Sequence, residues 1–297
     1  MGNGKGSFQT QQTFATGTAP QWVAIADLDA DTKLDLVVAN SANNDYLSVL
    51  LGNGNGTFKT QQPVTVLTTP VPVYVRELNG DGKLDIVSAN SDMVSVLLGN
   101  GNGTFQTQQT FATGSGPHGL ALGDLNADGK LDIVTANANG DDTASVLLGN
   151  GNGTFQNRKD FAAGSSPHSV AIGDVNGDGK PDLAVANTSS RNVSVLLGNG
   201  DGTFQAQKTF GSGEAIALLV ADLDSDTKLD LVVANFFDNT MSVMLGNGDG
   251  TFQAEMIFNV GNRATSVALG DLNGDGKADV VVTCHDSDVV SVMLSSP

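Results

Sequence analysis

The chain is poor in most of the residues that carry chemistry. It has one cysteine, Cys284, so no disulfide can form within it, and three histidines, too few for a repeated zinc set. There are 14 basic residues against 32 acidic ones, a formal net charge of −18, and no basic patch, which argues against nucleic acid and anionic membranes as partners. No apolar run is long enough to cross a bilayer, so no membrane insertion is expected, and no secretory leader is recognisable. No stretch keeps a helical apolar period over three turns, so almost no helix is expected.

What the chain has is repetition. Asp27-Leu-Asp29-Ala-Asp31-Thr-Lys33-Leu-Asp35 returns with small edits at 77, 124, 174, 222 and 271, spacings of 47 to 50 residues, so 1–297 reads as one array and a single domain. A glycine turn, Gly52-Asn-Gly-Asn-Gly-Thr-Phe58, travels with it at 99, 149, 198 and 246, and a sixth version opens the chain at Gly2. Between these turns each repeat holds four strand-like runs of about five residues. Trp22-Val-Ala-Ile-Ala26, Leu34-Asp-Leu-Val-Val-Ala39 and Tyr46-Leu-Ser-Val-Leu-Leu51 are the first three in repeat one.

Such units have two faces to bury and can bury them only against their neighbours, which predicts an all-β, six-bladed β-propeller of four-stranded antiparallel blades. The last repeat stops on its third run, at Val289–Leu294, while a run around Phe14 is left over at the start. The N-terminal strand is therefore expected to complete the C-terminal blade and close the ring. Cys284 is read in line with Ala39, Ala89, Ala136, Ala186 and Ala234, as a buried small residue.

The acidic loops hold 20 of the 32 acidic residues. Numbered from one, positions 1, 3, 5 and 9 carry oxygen-bearing side chains, and alternate spacing in a curled loop turns such positions inward, as a hard cation needs. Position 7 is always lysine, which offers a cation only its backbone carbonyl. Gly82, Gly129, Gly179 and Gly276 at position 6 permit a sharp bend that Thr32 and Thr227 must manage with a side chain. The position-12 acid of a helix-flanked calcium loop is missing, so that assignment fails. A turn rich in Asp and Asn is the plain alternative, but six copies in one register favour Ca2+, about six ions, one per repeat.

The Asp-Leu-Asn-Gly-Asp-Gly-Lys-x-Asp loop together with the glycine turn and Phe resembles the FG-GAP repeat, also described as VCBS-like. That repeat builds the propellers of integrin alpha subunits and of calcium-containing fungal lectins. The resemblance covers essentially the whole chain and implies calcium between the first and second strands of each blade, opposite the ligand face. Carried over, the ligands are Asp27, Asp29, Asp31, Lys33 and Asp35, then Glu77, Asn79, Asp81, Lys83 and Asp85, then Asp124, Asn126, Asp128, Lys130 and Asp132. They continue with Asp174, Asn176, Asp178, Lys180 and Asp182, then Asp222, Asp224, Asp226, Lys228 and Asp230, then Asp271, Asn273, Asp275, Lys277 and Asp279. Glu77, with Arg76 beside it, departs from the pattern and marks site two as the weakest. The calcium need expected of such loops and the resemblance together favour a place outside the cell or on its surface.

Residues that differ between copies are the better guide to binding. Trp22, Tyr46, Tyr74, His118, His168, Phe236 and Phe237 all fall near strand ends away from the acidic loops, and aromatic plates with polar neighbours suit sugar rings or a protein hot spot. The expected function is a calcium-stabilised extracellular binding module, a monomer that recognises a glycan or a cell-surface or extracellular protein. No catalytic residue is singled out: Asp141 and Asp142 are the one acidic pair outside the loops. A carbohydrate-active lyase or hydrolase is the alternative, and a structural spacer in an adhesion protein is another.

Overall fold

Residues 11–41, 46–66 and 72–295 are described by a computed structural model. They form six antiparallel meanders, sheets one to six, at 20–65, 73–112, 117–162, 167–211, 215–259 and 264–293. The first five sheets have four strands each in sequential order. A single 3-10 turn, His285–Ser287, is the only helical element among the described residues. The glycine turns close between the third and fourth strands by a bridge such as Gly198↔Phe204. The turn at Gly2–Phe8 and the varied Asn43-Asn44-Asp45 stretch lie outside the described residues.

The expected closed six-bladed ring is not formed. Every sheet is open, and among the described residues the sixth has three strands, with no N-terminal strand beside Val289–Met293. Residues 11–16 take no strand conformation. Phe14 instead sets its ring edge-on to Phe58 of the first glycine turn, 5.1 Å between centroids. Leftover strands at the two ends of a sequence are complementary in pattern, but that pattern does not fix which edge the N-terminal run meets.

The chain divides into two compact units, Met1–Phe111 with Gly151–Thr154, and Ala112–Asn150 with Phe155–Pro297. In the first, Val37, Ala39, Leu47 and Val49 of sheet one pack on Val73, Val75, Ile86 and Leu97 of sheet two. In the second, Val134, Ala136 and Val146 of sheet three meet Val170, Leu183 and Val185 of sheet four, and the same rule joins four to five and five to six. Because both faces of a second strand are covered, strands such as Asp182–Asn187 are buried at every residue, and the alternation of a one-sided sheet gives way to a near-continuous apolar run. Each buried Val or Leu contributes about 1.5–3 kcal/mol, so packing between sheets dominates the stability of each unit.

Two polar clamps fix the ends of each sheet. At the loop end, the position-9 aspartate is buried and accepts two backbone amides: Asp182 takes the N–H of Val175 at 2.9 Å and that of Gly198 at 2.7 Å. The glycine allows this approach, since a Cβ there would run into the carbonyl oxygen of Pro181. At the other end a buried asparagine donates to a serine in the third strand, as in Asn187 Nδ2 to Ser194 Oγ at 2.8 Å and Asn235 to Ser242 at 2.7 Å. Strand register puts Cys284 opposite Ala264 as Asn235 stands opposite Ala215. Cys284 thus replaces the clamp asparagine, and Thr283 holds the alanine place assigned to Cys284 from sequence.

If the clamp needs that close approach, Gly198→Ala lowers stability by about 1–3 kcal/mol through overpacking. Gly211→Ala, where a Cβ meets nothing within 4 Å, changes it by less than about 0.5 kcal/mol. Urea denaturation of both variants compares them, and equal effects would remove the steric account.

Candidate functional site

The acidic loops join the first and second strands and are shaped by their own backbone. In repeat three, Asp124 accepts the N–H of Asp128 at 3.1 Å and of Gly129 at 2.8 Å, and Asp174 and Asp222 repeat that pattern. Position 1 therefore curls positions 5 and 6 back over itself. Position 6 is left-handed throughout, at φ 75 to 83° in different repeats for Gly82, Gly129, Gly179 and Gly276 or 68 and 71° for Thr32 and Thr227; position 4 is left-handed as well, at Ala30, Gly80, Ala127, Gly177, Ser225 and Gly274. The lysine at position 7 turns its ammonium onto position 5, with Lys33 2.7 Å from Asp31 and Lys228 2.6 Å from Asp226. This pairing holds the Asp31 and Asp226 carboxyls below the usual range.

Loop two is built differently, as its sequence suggested. The longer Glu77 accepts the amides of Asn79 and Gly80, at 2.8 and 2.6 Å, two positions earlier than the pair of amides that Asp124, Asp174 and Asp222 accept. Arg76 donates to the Val75 carbonyl.

Three carboxylates converge in loops one and five: Asp27, Asp29 and Asp35, and Asp222, Asp224 and Asp226. These are the two loops with aspartate at position 3, where the other four have asparagine. Within the first cluster Asp29 Oδ1 is buried without a hydrogen-bond partner, an arrangement that costs free energy unless something positive satisfies it. A hard divalent cation is the chemistry this donor set fits. At position 9, burial pushes the carboxyls of Asp35, Asp85, Asp132, Asp182 and Asp230 up in spite of the two amides each one accepts.

The residues singled out for binding fall at the opposite ends of the sheets and gather in separate groups. In the first unit, Trp22 on the first strand of sheet one lies 6.2 Å from Tyr74 on the first strand of sheet two, ring to ring. Tyr46 starts the third strand of sheet one, and its carbonyl accepts Asn40 of the clamp. In the second unit, His118 and His168 pair with centroids 4.3 Å apart. Each is the extra residue of a β-bulge, between Pro117 and Gly119 and between Pro167 and Ser169, which re-aims its side chain. Burial lowers the His118 pKa, and burial together with the neighbouring imidazole lowers that of His168 to about 4, so both rings are neutral at physiological pH.

Phe236 and Phe237 follow the second strand of sheet five, edge to face at 4.7 Å, and the Arg263 guanidinium lies over both rings, 5.3 and 5.8 Å from their centroids. Phe237 is 60 % exposed. Sequence reading missed Arg263, because its place over the rings comes from the loop before sheet six. The Asp141 and Asp142 pair belongs to the scaffold: Asp141 accepts the Ser115 amide, and Asp142 accepts the Ser165 hydroxyl and the Ser166 amide. Arg191 likewise ties sheet four to Asp238 and Glu214 of the next repeat.

A family profile described as FG-GAP-like repeat matches residues 77–135, 124–185, 174–233 and 222–282, each from one acidic loop to the second strand beyond the next. No curated protein matches the chain in sequence. Among solved structures, a lectin of Agrocybe aegerita studied for recognition of non-reducing terminal N-acetylglucosamine is similar at TM-score 0.62 and 24% identity, over 93% of this chain and 80% of that one. A functionally unknown protein of Desulfotomaculum acetoxidans reaches TM-score 0.67 at 13% identity, over 94% and 83%. The V. cholerae biofilm matrix protein Bap1 is similar at TM-score 0.53 and 20% identity, over 85% of this chain and 41% of its own.

Thr227 pays the left-handed penalty with a β-branched side chain, whereas glycine at that position meets only open space in the other loops. Thr227→Gly is expected to raise stability by about 0.5–1 kcal/mol, the roughly 1–2 kcal/mol of relieved strain less the added chain entropy. Chemical denaturation measures it, and an unchanged midpoint would mean that the loop stores no such strain.

Proposed function

The chain belongs to the FG-GAP-like repeat family, and on that footing we propose that it is a calcium-stabilised extracellular module that binds carbohydrate at the ends of its sheets opposite the acidic loops. The observation that carries this reading is the exposed Phe237 beside Phe236 and Arg263. An aromatic face flanked by a guanidinium offers a sugar both a surface for its C–H groups and donors for its hydroxyls. Trp22 with Tyr74, and the neutral His118 and His168, supply further ring pairs with their own N–H and O–H donors elsewhere. The lectin of similar fold sets terminal N-acetylglucosamine as the first sugar to test. The role is non-catalytic, since the acidic pair outside the loops is engaged in holding strands together.

Calcium would be held by positions 1, 3, 5 and 9 of each loop with the position-7 carbonyl, most readily where Asp27, Asp29 and Asp35 or Asp222, Asp224 and Asp226 converge. The ion supplies charge neutralisation and fixes the loop; Asp29 is the residue whose free oxygen it would satisfy. Extracellular calcium is near millimolar, the range that modules of modest affinity need.

Calorimetric titration of the chelated protein should show calcium binding, and saturation at about 100 times Kd should add roughly 2.7 kcal/mol per site. Asp29→Asn is expected to weaken the site in loop one. Absence of heat and an unchanged melting temperature in chelator would end the calcium reading. For the ligand, a glycan array followed by titration should find a sugar whose affinity falls tenfold or more, about 1.4 kcal/mol, in Phe237→Ala. The variant should melt normally because Phe237 is exposed. A blank array, or a Phe237→Ala variant that binds as well as the parent, would defeat this reading.

A further inference from the structure

Two histidines of the second unit stand together with no task in the scaffold. His118 and His168 come from the first strands of sheets three and four, and their ring centroids lie 4.3 Å apart with 49° between the planes. Among the described residues neither imidazole makes a hydrogen bond or an ion pair, whereas His285, the third histidine, meets Asp286 at 2.7 Å. Strand packing does not call for a histidine there, because the same bulge position holds Gln21, Ile216 and Thr265 in sheets one, five and six.

The main chain sets the pair. Each of the two strands is entered through a left-handed residue, Gly116 at φ 61° or Ser166 at φ 54°, followed by a proline whose ring fixes its own φ. The bulge then inserts the histidine, so the two side chains leave their strands at matching places. Gly119 brings those strands together. A Cβ there would stand 2.9 Å from the Ser169 Cα and 3.0 Å from the His168 carbonyl oxygen, so a side chain would push the strands apart. The rings are held side by side by backbone and not by a mobile loop, which lowers the ordering cost of using both on one ligand.

Two neutral imidazoles offer nitrogen lone pairs and no charge. That donor set suits Zn2+, Cu2+ and Ni2+, whereas calcium and magnesium take oxygen. Metal–nitrogen bonds of about 2.0–2.1 Å put the centroids of two rings on one ion roughly 4.5–5 Å apart. The separation of 4.3 Å falls just short of that, a difference that rotation about the side-chain bonds covers. Burial keeps both rings unprotonated at neutral pH, so a metal has no proton to displace from them. The acidic loops at the other end of the sheets present oxygen, and the two ends therefore select different metals.

We propose that His118 and His168 form a two-nitrogen site for a late first-row divalent metal, Zn2+, Cu2+ or Ni2+, separate from the acidic loops. The protein supplies two ligands and leaves the rest of the coordination shell to water or to a donor on a bound molecule. Among the described residues no carboxylate or carbonyl accepts a hydrogen bond from either ring, the outer support that tightens a structural metal site. The ion is accordingly exchangeable, held less firmly than a structural zinc. The site stands without the sugar reading, since it asks nothing of Phe237 or Arg263.

The test titrates the full chain, in excess calcium so that oxygen sites are competed for, with Zn2+ and separately with Ni2+. Calorimetry should find about one ion per chain, with affinity lowered about tenfold or more in His118→Ala and in His168→Ala and unchanged in His285→Ala. His118→Gln and His168→Gln keep a polar side chain of similar size; they should melt like the parent and still fail to bind. Gly119→Ala removes no ligand but separates the strands, and it should weaken binding as well. Cu2+ on the parent chain should show electron paramagnetic splitting from two nitrogens. Binding that survives in the double variant His118→Ala, His168→Ala would put the ion elsewhere and overturn the proposal. So would the absence of saturable binding up to about 1 mM metal, the result expected of two rings that only stack.

Discussion

The buried carboxylate at position 9 is the constraint on which each repeat depends. A charged group taken out of water needs its own donors, and Asp35, Asp85, Asp132, Asp182 and Asp230 obtain them from two backbone amides, one at the start of the acidic loop and one at the first glycine of the turn. The first amide fixes the loop between strands one and two, and the second brings the turn between strands three and four against it. Both hairpins at that end of the sheet are thereby tied to one side chain. In sheet six the glycine is replaced by Ser295, whose amide takes the same place at 2.9 Å from Asp279. Burial still outweighs the two hydrogen bonds in the first five sheets, because their carboxyls are pushed up. A cation bound in the same loop would shift that balance back toward the charged form and so would couple to the fold through one residue.

The sheets between these clamps are held by area more than by direction. A second strand such as Leu183 to Ala186 sends alternate residues into two different clusters, one shared with the preceding sheet and one with the following. No single repeat can satisfy both faces, which is why the chain needs its neighbours. The ends opposite the acidic loops use polar ties as well: Arg191 reaches Asp238 of the next repeat, and Asn239 accepts the amide of Arg263 from the one after. These ties hold the loops that carry Phe236, Phe237 and Arg263, so the platform rests on a cross-linked base and not on free turns.

Much of this was legible in the residues. Six loops and glycine turns in one register announced the meanders, and Glu77 announced its own departure, because a longer arm at a fixed position must bond elsewhere. The position-9 aspartates were read only as cation ligands, since their partners are backbone amides that a sequence does not name. Cys284 was aligned one place off, on the alanines; counting residues from Asp279 would have put it on Asn235. Ring closure was inferred from ends that complement each other, but complementarity leaves open whether a face is met, and by what. Arg263 over the two phenylalanines depends on which loops emerge together, information held in the packing of the sheets.

For the proposed calcium and sugar sites, the separation of the two ends of each sheet decides how a bound ion and a bound ligand would influence each other. Acidic loops and glycine turns share one end, and the bulged His118 and His168 and the Phe236 hairpin lie at the other, with a second strand of six fully buried residues between them. Such a strand has no room for a graded shift, because its side chains interlock with two neighbouring sheets at the density of a protein interior. An ion at one end therefore acts on a ligand at the other mainly by keeping the whole sheet folded. If the proposed sugar site is real, the architecture has it retain binding without calcium at temperatures where the protein is still folded, and sets it too far from the acidic loops for an ion there to coordinate the sugar.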